Sequence, residues 1–194
     1  MKKILLIALS GLLIISAKGQ VVVNYGVKGG INVSTFIGSE AGALNGLTGP
    51  YAGGLAQFSF GEDDRGFIKY AILAELFYSQ QGAKSQDETI KLSYINLPVV
   101  VQRYIASSGF YLETGPQIGF LISAKDKIGG SSLDVKTYYK KTDFSLLVGL
   151  GYKFNNGLGI NTRYTLGIGS VDGSDTHNTT ISAGLFYIFG GNRE

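Results

Sequence analysis

LLVGLGYKFNNGLGINTRYTLGIG, residues 146–169, alternates oily with small or polar residues on both sides of an Asn-Asn-Gly. Leu146, Val148, Leu150, Tyr152 and Phe154 share one face, with Gly149, Gly151 and Lys153 on the other. Past Asn155-Asn156-Gly157 the pattern resumes, with Leu158, Ile160, Thr162, Tyr164, Leu166 and Ile168 set against Gly159, Asn161, Arg163, Thr165 and Gly167. A period of two flanking a turn of residues that tolerate positive φ predicts a β-hairpin. What decides the fold is whether the oily face meets a protein core or lipid.

The same period recurs along the chain. It predicts eight strands, near 25–36, 51–60, 67–81, 90–104, 109–124, 139–154, 158–170 and 178–189. Several exceed the five or six residues usual in soluble sheets. Eleven residues tilted by about 40° rise roughly 28 Å, enough to cross the hydrocarbon of a bilayer. The links after odd strands (37–50, 82–89, 125–138, 171–177) are longer than those after even strands (61–66, 105–108, 155–157). Short turns at one end and long loops at the other suit a membrane barrel with both termini on the periplasmic side. In strand 90–104 the oily phase slips near Ile95, and Pro98 lacks an amide donor, so a bulge is expected there.

The face opposite the oily one carries Lys28, Lys69, Glu75, Glu113, Gln117, Asp143, Lys153 and Arg163 amid many glycines. A water-facing surface gains nothing from glycines and loses chain entropy to them. A narrow barrel interior needs small residues plus charges that pair with one another. These eight residues are therefore expected to form a polar network in the lumen. Tyr and Phe recur near strand ends, among them Tyr25, Phe36, Tyr51, Tyr104, Phe110, Phe154 and Phe189, where membrane-interface girdles belong. The oily face is read as pointing outward, into lipid.

Composition agrees. The 194 residues are 44% hydrophobic, with 29 Gly, 12 Tyr, 11 Phe and 16% charged residues. There is no Cys, which excludes disulfides, thiolate metal sites and a lipid-modified N-terminal Cys. Lys2 and Lys3, the apolar run Ile4 to Ile15, and Ala17-Lys18-Gly19 before Gln20 predict a signal peptide over 1–19 with cleavage after Gly19, leaving 20–194 as one domain. With Lys18, that leader accounts for the whole formal net charge of +3. The remainder is balanced, which removes any charge argument for nucleic-acid binding.

Ser182, Gly184, Tyr187 and Phe189 reproduce the spacing of the C-terminal signal by which outer-membrane barrels reach the barrel-assembly machinery, although five residues follow Phe189. With GVKGGINVSTF, LAELFYSQQGAK, LSYINLPVVVQRY and GFYLETGPQIGFLISAK, the chain resembles the PorT-like outer-membrane β-barrels, similar in architecture to OmpA/OmpX-type barrels. The resemblance implies an all-β, eight-stranded antiparallel up-and-down barrel in the outer membrane of a Gram-negative envelope, with outer-membrane lipids and envelope proteins as partners. It implies no settled activity.

His177, the one histidine, follows Ser174 and Asp175 in the last long link. That neighbourhood is the one candidate for lipid-modifying chemistry, but sequence adjacency does not position a triad. GEDDRG at 61–66 lacks the spaced ligands of a calcium loop. The expectation is a non-enzymatic protein without cofactor or metal, in a structural or surface-interaction role or as an accessory to a secretion assembly. The alternative is a narrow conduit for small or hydrophobic solutes.

Overall fold

The computed structural model describes residues 21–38, 45–62, 68–85, 88–105, 108–128, 131–170 and 176–190. The proposed leader, with Ala17, Gly19 and Gln20, lies outside them, as do Ser174 and Asp175.

The strands are β1 (Val22–Ile37), β2 (Asn45–Glu62), β3 (Ile68–Lys84), β4 (Glu88–Tyr104), β5 (Phe110–Ile128), β6 (Ser131–Asp134), β7 (Thr142–Lys153), β8 (Leu158–Ser170) and β9 (His177–Ile188). Each long strand pairs antiparallel with its sequence neighbours, β7 taking the side of β5 opposite β4, and β1 closes on β9 from Gly26↔Ile188 to Ile37↔His177. The result is a closed eight-stranded antiparallel barrel. The short β6 lies outside the ring and pairs only with the end of β5. Closure leaves the ring no strand edge, so the wall satisfies its backbone through continuous ladders apart from local irregularities in β2–β3, β4–β5 and β8–β9, as lipid demands.

The β7–β8 hairpin turns at Asn155-Asn156-Gly157. Gly157 takes φ 84°, its amide donates to the Phe154 carbonyl at 3.2 Å, and Asn156 Oδ1 accepts from the Leu158 amide at 3.1 Å. Facing alternates along β7: Phe144, Leu146, Val148 and Leu150 are 57, 52, 55 and 50% exposed, whereas Ser145 and Leu147 are 3 and 1% exposed. The oily residues are on the outside of the barrel.

The first and last described residues, Val21 and Gly190, lie at one end of the barrel, called here the terminal end, with the β6 side as the far end. Aromatic residues ring the terminal end on the outside. Phe110 meets Tyr152 at 4.8 Å between centroids, Tyr152 meets Phe154 at 4.9 Å, and Tyr187 meets Phe189 at 5.6 Å. Phe36, Tyr51 and Tyr104, read from sequence as girdle residues, instead pack within the lumen.

Three further expectations are corrected. The strands outrun their sequence-based bounds at the far end, where β2 begins at Asn45 and β5 runs to Ile128. The far end is thus built of strand extensions, and the long links between them shrink. Second, β4 keeps one phase throughout: Leu92, Tyr94, Asn96, Pro98, Val100 and Gln102 are all buried, and Leu97, Val99 and Val101 face out. The bulge sits across from it, where Ser93↔Ser123 is followed by Tyr94↔Leu121, so Ile122 is the extra residue and Ser123 turns outward. The slip read in the sequence arises because Leu92 and Tyr94 are apolar residues turned inward. Third, some of the glycines expected where a narrow interior needs small residues accept aromatic side chains from strands one or two places away; a β-carbon at Gly159 would overlap the Phe186 ring, and one at Gly184 would overlap the Tyr51 hydroxyl. They serve intimate packing along the wall more than the approach of opposite walls.

Candidate functional site

The centre of the lumen holds a four-charge cluster. Arg163 on β8 extends across the barrel and uses its whole guanidinium fork. Its NH1 and NH2 donate to Glu75 Oε2 and Oε1 at 2.6 and 2.8 Å, while Nε and NH2 donate to Glu113 Oε1 and Oε2 at 2.5 and 3.1 Å. Lys28 Nζ on β1 adds bonds to both oxygens of Glu75 at 3.3 and 3.2 Å. Both glutamate side chains are 0% exposed. Two carboxylates against two cations leave the cluster neutral, the condition under which buried charge is tolerable.

Neutral groups complete it. Gln102 Nε2 on β4 donates to Glu113 Oε2 at 2.9 Å, and Gln57 Nε2 on β2 donates to Gln102 Oε1 at 3.3 Å and to the Tyr104 hydroxyl at 3.2 Å. Six strands are tied together through side chains. Sequence reasoning missed both glutamines. Both were legible: Leu55, Gln57 and Ser59 alternate with Ala56, Phe58 and Phe60, and Gln102 falls opposite the outward Val99 and Val101.

Apolar residues bracket the charges. Towards the terminal end Leu55, Tyr111, Phe186 and Ile188 form one cluster, and at the far end Phe36, Leu92, Tyr94 and Leu121 form another, with Val135 and Tyr139 against it. Beside the ions, on the far side, Asn32 Nδ2 donates to Ser79 Oγ at 3.0 Å, and Asn178 Nδ2 bonds Gln81 Oε1. Two small cavities flank the cluster, about 20 and 10 Å³, each with room for roughly one water molecule.

Of the eight residues read as a lumen network, Lys28, Glu75, Glu113 and Arg163 meet directly. Gln117 is buried and lines the larger cavity with Arg163. Asp143 sits apart, its Oδ2 accepting from Ser145 Oγ at 3.1 Å. Lys69 is exposed and Lys153 half-buried, both near the terminal end and outside the cluster. In β9, Ser182 lines the larger cavity, Gly184 abuts Tyr51 and Tyr187 projects outward, as does Phe189 just past the strand. His177 opens β9 opposite Ile37.

A closed barrel with an oily exterior, an aromatic ring and a filled polar lumen defines a transmembrane β-barrel of the outer-membrane type. The chain belongs to the family described as "Outer membrane protein beta-barrel domain", whose model matches residues 19–173. Among solved structures it is similar to Neisserial surface protein A (TM-score 0.55, 16% identity, covering 84% of this chain and 96% of that one). It is also similar to Ail, the attachment invasion locus protein of Yersinia pestis (TM-score 0.51, 15% identity, covering 86% and 98%). At these identities the likeness is one of fold. No curated protein compared with the chain matches it.

Proposed function

We propose that this protein is a non-conducting, non-enzymatic outer-membrane barrel that works through its ends, by contacts with surface or envelope partners. The observation that carries the reading is the obstructed lumen: an ionic cluster spanning the bore, with apolar side chains packed on either side of it. Eight strands leave an interior that side chains can fill, and here they do. A body of this kind is a rigid mount, and what it presents is its rims. The names of the two structural neighbours, a surface protein and an attachment protein, point the same way for those proteins.

Within this reading both termini are periplasmic, the far end faces outward, and the barrel-assembly machinery recognises β9 through Ser182, Gly184, Tyr187 and Phe189. Membership of the PorT-like group, with a place in an envelope or secretion assembly, belongs to the same proposal. The test is electrical. Refolded protein in planar bilayers should give no steady conductance above the bare membrane. Stable single-channel steps from the unaltered protein would overturn the reading in favour of the conduit.

A further inference from the structure

The outer wall of β3, β4 and β5 changes character in steps towards the far end. Leu97↔Ile118 is an apolar rung, and Tyr78↔Ile95↔Phe120 follows it. Next comes a polar rung, Gln80↔Ser93↔Ser123, in which the Tyr78 hydroxyl bonds Ser93 Oγ at 3.1 Å. Above it lie two basic rungs. One carries Lys91↔Lys125, and the other Lys84↔Thr89↔Lys127. Strands stand about 4.8 Å apart, and same-face residues about 6.7 Å apart along a strand. Four ammonium groups therefore crowd one small area. Lys136 adds a fifth at its lower edge, where Nζ donates to the Ile122 carbonyl at 3.0 Å.

Lys91 and Lys125 are directly cross-strand on the outer face. Like charges in that relation destabilise a sheet, so the pairing calls for an anion from outside the chain. Among the described side chains, Asp134, opposite Lys125 on β6, supplies one carboxylate to the patch, and that carboxylate also accepts from the Lys136 amide at 3.0 Å. Among the described residues, the outward faces of β1, β2, β8 and β9 carry no Lys or Arg at all. At the far end the strand-borne lysines lie on one wall, with the exposed Lys140 and Lys141 ahead of β7 beside it. Its order, from hydrocarbon-facing side chains through a Tyr and hydroxyl level to ammonium groups, is the order a bilayer presents from acyl chains to headgroup phosphate.

We infer that Lys84, Lys91, Lys125 and Lys127 form a binding site for the phosphate of an anionic lipid headgroup in the leaflet at the far end. The acyl chains of that lipid lie along the oily rungs of β3–β5, and its phosphate takes up the repulsion between Lys91 and Lys125. Lysine suits the task, as a flexible point charge whose stem lies on apolar surface while its head reaches up. The inference goes beyond the proposed function, since it needs the barrel in a bilayer but neither its orientation nor its lack of conductance.

The test is lipid retention by the full-length refolded protein in neutral detergent micelles, read by native mass spectrometry. The probes are lipid A with two phosphates, zwitterionic phosphatidylcholine, and inorganic phosphate. The unaltered protein should retain lipid A. The variant combining Lys84→Gln, Lys91→Gln, Lys125→Gln and Lys127→Gln should lose about tenfold or more of that retention, with no change for phosphatidylcholine. A control with Lys69→Gln and Arg103→Gln, at the terminal end, should behave as the unaltered protein. Because the altered side chains are on the surface, a retained heat-dependent gel shift verifies folding. Equal retention of lipid A by the fourfold variant, or equal loss in the control, would overturn the inference. So would capture of inorganic phosphate alone without lipid A.

Discussion

Arg163→Ala should destabilise the folded barrel by about 3–5 kcal/mol, the cost typical of removing one partner from a buried ion group. The reason is specific to its position. Arg163 is the sole partner the cluster gives Glu113 among cations, and it holds Glu75 through two bonds. Truncation leaves two fully buried carboxylates facing one ammonium, Lys28, in a space whose cavities admit about a water molecule apiece. Urea titration of protein refolded in vesicles reads the change as a lowered unfolding midpoint. Arg163→Lys should recover part of the loss, since a point charge cannot bond both carboxylates as the planar fork does. Joining Arg163→Met to Glu113→Gln should recover most of it, because the Lys28–Glu75 pair that remains leaves no net charge stranded. An Arg163→Ala midpoint equal to the unaltered one would mean that the cluster is solvated, and the obstructed lumen would go with it.

The second large effect concerns the outer surface. Val148 lies midway along the outward row Phe144, Leu146, Val148 and Leu150 of β7. In lipid, Val148→Arg should cost about 2–4 kcal/mol, as charged residues do at the bilayer midplane of such barrels. Phe154→Arg, at the aromatic ring of the terminal end, should cost no more than about 1 kcal/mol because the guanidinium reaches headgroups. The same vesicle titration measures both. Equal costs at the two depths would mean that the wall carries no hydrocarbon gradient.

The barrel was legible because its wall has two different solvents. Lipid outside and a polar bore inside impose a strict period of two, and β7 and β8 show it over nearly every residue. Where both faces become apolar the rule fails. Leu92 and Tyr94 turn into the far-end cap while Ile95 and Leu97 face outward, so the eye sees a slip that the backbone does not make. The irregularity belongs to β5 instead, where Ile122 is the extra residue and Ser123 turns outward. Alternation assigns charged residues to a face but carries no information on height. Lys69 and Asp143 therefore could not be separated from Glu75, Glu113 and Arg163 until the registers were known. The lysine patch needed the same knowledge, because Lys84, Lys91, Lys125 and Lys127 are spread over 44 residues and meet only through the pairing of β3, β4 and β5.

The central claim is that acyl chains are the solvent for the outward row, and single-cysteine spin labelling tests it most directly. The chain has no native Cys, so labels at Phe144, Ser145, Leu146, Leu147 and Val148 report one site each. In vesicles, labels at Phe144, Leu146 and Val148 should collide freely with oxygen, which concentrates in hydrocarbon, and be shielded from a water-soluble nickel relaxant. Labels at Ser145 and Leu147 should be shielded from both. High nickel accessibility at 146 and 148, or an oxygen profile that peaks at 145 and 147 instead, would contradict the account.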